Sequence, residues 1–398
     1  MASTAVVRQV LSGITPSGVP TLGNYLGALR SWIWLQRAVS NSARENGVLS
    51  LDASPLSEED ARRALESYDQ DIAEVAANQG DLSFAARAQK TDGHSLFMIA
   101  DLHAMTVPKN MENLRQKSFE LVASYLACGL DPKQAVLFQQ SRVAAHSEFA
   151  WIMQCYTSVG RLNRMTQFKE KAGKRSENAT AGLYTYPSLM AADILLYNPT
   201  HVPVGDDQMQ HLEFTRDMAD RFNDRANLEL FRPPDAIYQE SGAARIMSLR
   251  DGNKKMSKSD PNEGSRILLT DSADDIARKI KKAVTDTAGA ISRADRKNDR
   301  PAVFNLLTIS AALRGTDLRD ELIAYDGRMC SELKNDLTEL LVDVICPIGD
   351  EVHRLLDDRD VIYKVLDDGA DRAAEIASIT MKDVHQVMGL TPFSKANP

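Results

Sequence analysis

Short apolar runs alternate along the chain with stretches whose apolar residues recur every three or four positions. Val6 to Leu11 reads as a first strand, broken by Ser12-Gly13-Ile14-Thr15-Pro16-Ser17-Gly18. A helix follows from about Leu22 to Gln36, with Leu22, Leu26, Leu29 and Ile33 on one face. Leu96 to Ala100, ending at Asp101, is a second strand, Val136 to Phe138 a third and Val202 to Val204 a fourth. Short strands separated by helical patterns predict an α/β fold, a parallel sheet with helices on both faces.

Two regions depart from that rhythm. Residues 40 to 92 form a connection far longer than usual. Ser57-Glu58-Glu59-Asp60 resembles a capping box, and Ala61, Leu65, Tyr68, Ile72 and Val75 give an apolar face that Gly80 ends. This reads as an inserted helical hairpin. From Ser272 onward the pattern is helical. Ser272 and Asp275 cap a helix whose face is Ile276, Ile280 and Val284, and later helices carry Leu337, Leu341 and Val344, then Ile376, Ile379 and Val387. The expectation is two domains, residues 1–262 and an all-helical domain at 263–398.

Charge and cysteines narrow the classes. The net charge of −8 excludes a globally basic nucleic-acid coat, and 11 acidic against 5 basic residues in 40–92 concentrate the acidity there. The four cysteines are scattered with no CxxC pair, so neither a disulfide framework nor a zinc site is expected. No apolar run approaches the 18 or so residues of a membrane span. With the first strand beginning at Val6, no presequence is legible, and a cytoplasmic location is expected, an organelle being the alternative.

Three segments have the chemistry to hold a polyphosphate. Gly13, Gly18 and Gly23 lie among Thr15, Ser17 and Thr21, between a strand and a helix N-terminus, where amides and the helix dipole favour anions. This is not a P-loop, since Val19 stands where lysine is needed. The second is Lys254-Lys255-Met256-Ser257-Lys258-Ser259-Asp260-Pro261, read as a loop over 252–261. The third is the cluster Arg161, Arg164, Lys169, Lys171, Lys174 and Arg175. Taken singly, each is equally well a turn or a solvated charged face.

Together they resemble the class I aminoacyl-tRNA synthetases. Lys255-Met256-Ser257-Lys258-Ser259 is the KMSKS signature, and Thr21-Leu22-Gly23-Asn24 sits where the HIGH signature belongs. The chain is similar to the bacterial-type tryptophanyl-tRNA synthetases in Ser12 to Gly18, Gly23 to Leu29, Met165 to Lys171, Tyr186 to Asn198, Val202 to Gln208 and Ile246 to Leu249. The resemblance covers nearly all of the chain outside 40–92. It implies a Rossmann-like doubly wound sheet, a C-terminal domain that reads the anticodon, and a homodimer acting on tRNA(Trp), L-tryptophan and ATP.

Tyr186, Met190, Asp193 and Tyr197 fall on one helical face, and Asp193 is the only charge between Leu189 and Tyr197. A buried carboxylate needs a partner. A neighbouring helix or backbone group would supply one. The resemblance supplies another, the indole N–H of tryptophan. It likewise implies tryptophan contacts for Gly13, His103, Tyr186, Met190, Val202, Val204 and Gln208. For ATP it implies Thr15, Pro16, Ser17, Gly23, Asn24, Gly205, Asp206, Asp207, Ile246, Met247, Lys255, Met256, Ser257, Lys258 and Ser259. Lys171, Lys255, Lys258, Thr21 and Asn24 are the implied catalytic set, with Mg²⁺ on the ATP and no dedicated protein metal site.

The chain departs from the family at Thr15, usually glutamine, and at Leu11, commonly aromatic. The implied reaction is attack of the tryptophan carboxylate on the α-phosphorus of ATP, then transfer of the aminoacyl group to the 2′-hydroxyl of the tRNA's terminal adenosine. A tyrosyl-tRNA synthetase relative and an inactive RNA-binding paralogue stay open as alternatives. Arg293, Arg296, Lys297 and Arg300 form a basic cluster in the helical part that suits RNA or a solvated face equally.

Overall fold

The computed structural model describes residues 4–5, 9–33, 35–36, 49–50, 95–166, 168, 179–205, 208–238, 245–286 and 289–391. The expected hairpin in 40–92 lies outside these residues, apart from Leu49–Ser50, which pairs antiparallel with Thr4–Ala5.

Five strands form one parallel sheet: β1 (Val10–Ile14), β2 (Ser95–Ile99), β3 (Ala135–Gln139), β4 (His201–Val204) and β5 (Asp235–Tyr238). Their spatial order is β3-β2-β1-β4-β5. The chain thus winds outward on one side of β1 and then on the other, leaving a crevice at the carboxyl ends of β1 and β4. β2 and β3 are in register from Ser95 opposite Ala135 to Ile99 opposite Gln139.

The sequence placed β1 too early. It runs through Ser12-Gly13-Ile14, because register with Phe97, Met98 and Ile99 continues the ladder where local composition reads as a break. β5 was not foreseen; Asp235-Ala236-Ile237-Tyr238 is too short and mixed to stand out from its neighbours.

The helix after β1 begins as α1 (Leu22–Asn24), passes through a π-helical turn at Tyr25–Leu29, and is α-helical again at residues 30–33 and 35–36. Leu22, Leu26 and Leu29 are buried as expected. Ile33 is not, because Trp32 takes the interior seat, stacked on Phe97 with ring centroids 4.9 Å apart.

The further helices include α2 (Asp101–Ala104), α3 (Leu114–Ala127), α4 (Ala145–Tyr156), α5 (Ala181–Leu195) and α6 (Met209–Ala226). A small hairpin, β6 (Met247–Ser248) with β7 (Asp251–Lys255), precedes the C-terminal helices. These include α7 (Ala273–Lys281), α8 (Pro301–Arg314), α9 (Cys330–Asp357) and α10 (Arg359–Met388). The cap at Ser272 is present, its hydroxyl accepting from the Asp275 amide at 3.2 Å. Ile276 and Ile280 are buried, but Val284 lies past the helix end and is 44% exposed.

Two apolar clusters flank the sheet, and each contains residues from both sides of position 262. On one face Leu337, Leu341 and Ile345 of α9 join Phe97 and Leu137. On the other, Ala373, Ala377, Met381 and Val384 of α10 join Val136 and Phe138. The middle of the buried stripe of α10, Gly369, Ala370, Ala373 and Ala377, is small residues. Ile379, expected there, is 44% exposed. The reason is close approach: a methyl on Gly369 would lie 1.9 Å from the Leu137 carbonyl oxygen of β3. No helix among the described residues is long and apolar enough to cross a membrane.

Gly369→Ala should therefore force α10 off the sheet and destabilise the protein by about 3 kcal/mol, as overpacking does. Urea unfolding measures this; an unchanged midpoint would contradict such close docking.

Candidate active site

The turn from β1 into α1 is built by backbone bonds to a distant segment. The Leu22 amide donates to the Ile267 carbonyl at 2.8 Å and the Leu269 amide to Pro20 at 3.1 Å. Thr21 and Asn24 cap α1 reciprocally. The Thr21 hydroxyl donates to Asn24 Oδ1 at 2.9 Å and accepts from the Asn24 amide at 3.3 Å, while Asn24 Oδ1 accepts from the Thr21 amide at 3.0 Å. Both predicted catalytic residues thus also order the helix start, where unpaired amides attract anions.

Gly23 carries no side chain over this start. A Cβ there would touch Ile246 and Met256 side chains, both at 3.7 Å. The Met256 amide donates to the Ile246 carbonyl at 3.0 Å. The two signature segments therefore meet: Gly23 on one side, Ile246 and Met256 on the other. Asn305 of α8 fixes Met247 from behind, accepting from its amide at 2.8 Å and donating to its carbonyl at 3.0 Å.

The segment 252–261 was expected to be loop throughout. Its first part is instead strand β7, because Met247 and Ser248 offer a partner ladder. Gly252 is obligatory here, since a Cβ would fall 2.6 Å from the Ala302 amide nitrogen at the start of α8. Beyond Lys255 the chain turns. Ser257 and Ser259 hydroxyls are 3.1 Å apart, and Arg266 holds the Asp260 carbonyl at 2.7 Å. Lys255 is exposed, whereas Lys258 Nζ is buried with no hydrogen-bond partner among the described residues. Burial pushes Lys258 down to about 7, opposed by Glu120 and reinforced by Arg266 and Lys117.

A second group of predicted residues converges at the ends of β2 and β4 and on α5. Asp193 is fully buried and accepts from His103 Nε2 at 2.7 Å, His146 Nδ1 at 2.6 Å and Gln140 Nε2 at 2.8 and 2.9 Å. His146 continues to the Tyr197 hydroxyl at 2.8 Å. Burial pushes the Asp193 carboxyl up, but the bonds and charges of His103 and His146 outweigh it and hold it at about 2. The carboxylate's partners are thus side chains of α2, α4 and the β3 end, not the backbone.

Tyr186 packs edge-on to His103, ring centroids 6.3 Å apart, and bonds through its hydroxyl to His211. Val202 and Val204 are buried in the same apolar cluster as Leu11, with Met190 packed against it. α5 ends at Leu195, so Tyr197 lies beyond the helix and reaches the network through His146 instead of through a shared helical face. Gly13 is exposed at the end of β1, with Thr15, Pro16 and Ser17 following, and Gly205 and Gln208 lead from β4 to α6. The Gln208 amide donates to the Gly205 carbonyl at 2.9 Å.

Lys171, Asp206 and Asp207 lie outside the described residues, as do Lys169, Lys174 and Arg175. Of the third basic segment, Arg161 is paired with Asp217. Arg300 does not join a surface cluster. It is 5% exposed and bound by Asp286 and Asp295, a structural role in the turn before α8. Gln140 and His146 were missed by sequence reasoning. The available signal was their place just past the carboxyl end of a strand, where open sheets gather ligand-handling groups.

A family model described as tRNA synthetases class I (W and Y) matches residues 75–344. The tryptophan–tRNA ligase of Caulobacter vibrioides is 41% identical over 382 residues, covering 96% of this chain and 95% of its own. That of Bacillus subtilis is 40% identical over 383 residues, covering 96% and 98%. Among solved structures, the tryptophanyl-tRNA synthetase of Mycoplasma pneumoniae matches with a TM-score of 0.72 at 33% identity, covering 97% of this chain and 98% of that one. The Campylobacter jejuni enzyme, complexed with ADP and tryptophan, matches with a TM-score of 0.69 at 27% identity, covering 96% and 100%.

The Asp193 cluster predicts a pH effect on stability. A carboxyl held near 2 in the fold and near its ordinary value when unfolded stabilises the fold fully above pH 4. That contribution, about 2 kcal/mol, is lost as pH falls through 2. His146→Ala should raise the folded value and move the loss toward pH 4, read as an acid unfolding midpoint at higher pH. An unmoved midpoint would contradict the bond's role.

Proposed function

The chain belongs to the class I tryptophanyl-tRNA synthetases, the tryptophan–tRNA ligases, and we propose which of its residues carry that reaction. The observation that supports the assignment best is the meeting of Gly23 with Ile246 and Met256, which puts both signature segments at one mouth beside the carboxyl end of β1.

ATP lies in that mouth. Thr15, Pro16 and Ser17, the amides at Gly23 and Asn24, and Ser257 and Ser259 meet its phosphates, while Ile246, Met247 and Met256 line the adenine. Gly205, Asp206 and Asp207 are the residues assigned to the ribose by the family resemblance. Tryptophan lies against Val202, Val204, Met190 and Gly13, its indole N–H donating to Asp193, its ammonium held by Tyr186 and Gln208, and His103 near its carboxylate. Because both Asp193 oxygens already accept protein donors, the incoming N–H takes the place of one. His103, 15% exposed, is the donor that can yield, whereas His146 at 0% stays as the rear support.

The tryptophan carboxylate oxygen forms a bond to the α-phosphorus as the bond to the bridging oxygen breaks and pyrophosphate leaves. Orientation of two anions and neutralisation of the charge moving onto pyrophosphate are the whole task. Lys255, Lys258 and Lys171 are the cations for it, and Thr21 with Asn24 keeps the α1 amides aimed at the phosphates. Among the described residues, no group of three His, Cys, Asp or Glu is arranged to hold a metal ion. Mg²⁺ enters bound to ATP, as part of the Mg·ATP substrate. The aminoacyl group then passes to the 2′-hydroxyl of the terminal adenosine of tRNA(Trp), the ester forming as the acyl–phosphate bond of the adenylate breaks, AMP leaves and the hydroxyl proton is released, with the 263–398 helices facing the anticodon of a tRNA that spans a homodimer. A cytoplasmic location goes with this reading, supported by the bacterial relatives and four free cysteines.

ATP–pyrophosphate exchange tests the assignment. Exchange should run with tryptophan and not with tyrosine or phenylalanine, and Asp193→Asn should lower kcat/KM for tryptophan about a hundredfold or more, as loss of a buried polar match does. Exchange with tyrosine, or an Asn variant at wild-type rate, would overturn the substrate assignment.

A further inference from the structure

Lys258 has a neighbour that belongs to neither signature. Glu120 projects from the middle of α3, and its Oε1 accepts from Gln116 Nε2 at 3.1 Å. Its other oxygen points at the Gly18 turn. Gly18 has φ +95°, the left-handed region that favours glycine. A Cβ on Gly18 would lie 2.9 Å from Glu120 Oε2 and 3.3 Å from Lys258 Nζ. The carboxylate and the ammonium thus border one space beside the bare turn, which a side chain at Gly18 would fill. No ion pair within 4 Å links the two groups, so the attraction acts across that space and does not consume the lysine's hydrogen-bonding capacity.

We propose that Glu120 is a positioning residue for Lys258, drawing its ammonium into the mouth between the 15–18 turn and the KMSKS segment while leaving its N–H donors free for phosphate. This rests on the reading of the mouth as the ATP site. An ammonium buried without a partner is costly and tends to shed its proton. The charged groups facing Lys258 are Glu120, Arg266 and Lys117, and only Glu120 favours the charged form. A direct salt bridge would keep the charge but occupy the donors. A carboxylate held one turn away keeps the charge and leaves the donors for the departing pyrophosphate. Gly18 is what makes that spacing available.

The test uses the full chain. Glu120→Gln removes the charge and keeps the shape, so Lys258 should lose its proton at lower pH. In ATP–pyrophosphate exchange from pH 6 to 9, the alkaline limb of kcat should move down by about one unit, an approximately tenfold loss at pH 8 that shrinks toward pH 6, with KM for tryptophan unchanged. In a Lys258→Arg background, where the cation cannot be neutralised, Glu120→Gln should change the rate less than twofold. A merely structural role would give the same loss at every pH and on both backgrounds, and that result overturns the proposal.

Competitive labelling of amines with acetic anhydride, read at Lys258 by mass spectrometry across the same pH range, needs no activity. The reactivity curve should shift to lower pH in Glu120→Gln, and an unshifted curve also overturns the proposal. Absence of exchange in the wild type together with a shifted curve would instead sink the ATP-site reading and leave the Glu120–Lys258 coupling standing.

Discussion

Everything at the mouth depends on a short antiparallel contact between the Pro20–Leu22 stretch and Ile267–Leu269. Its bonds join backbone to backbone, so they hold whatever side chains flank them. They bring the N-terminus of α1 beside the return of the chain from the KMSKS turn, some 245 positions away in sequence. Gly23 can then lie against Ile246 and Met256 without a side chain between. At its far end the same hairpin is pinned where Gly252 meets Pro301 and Ala302. The lysine-bearing turn is therefore strung between the sheet and the C-terminal helices, and a movement of α8 would be felt at Met256 and Lys258.

Two of the buried charges, those of Asp193 and Lys258, are treated in opposite ways. Asp193 is saturated: two histidines and a glutamine supply four bonds to one carboxylate, more than offsetting its desolvation. Lys258 is starved, with its ammonium buried and unbonded. The difference fits the role proposed for each. An acceptor that discriminates one ring N–H has to be fixed in place before the substrate arrives, with a single replaceable donor at the front. A cation that must take up a leaving anion gains nothing from being satisfied beforehand, because each bond it already made would have to break.

Legibility in the sequence followed the kind of interaction. The intact KMSKS pentapeptide was readable because its residue types are fixed by chemistry, and the Ser272 cap because it is local. The Asp193 partners were not. A lone charge in the apolar run Leu189 to Tyr197 announced that a partner must exist, but Gln140 and His146 arrive from other elements and nothing near Asp193 names them. The buried face of α10 was misread for the same reason. Periodicity located Ile376 and Val387, which pack against the cluster, but also Ile379, which is exposed, while the residues nearest the close approach at Gly369 are the small Ala370, Ala373 and Ala377. Arg300 looked like part of a basic patch because Asp286 and Asp295 cannot be assigned to it from spacing alone.

Both anionic substrates approach a chain whose own net charge is −8. Long-range attraction to the whole molecule therefore cannot gather them. Salt limits the consequence, since repulsion from charges more than about 8–10 Å away is largely screened. What remains effective is local: the amides at the start of α1, the exposed Lys255 and the sheltered Lys258. Burial that depresses Lys258 also removes the water that would weaken its pull on a phosphate. The acidic balance elsewhere then costs little at the mouth, and in the proposed reading the hold on an anion falls to the α1 amides, the exposed Lys255 and the sheltered Lys258.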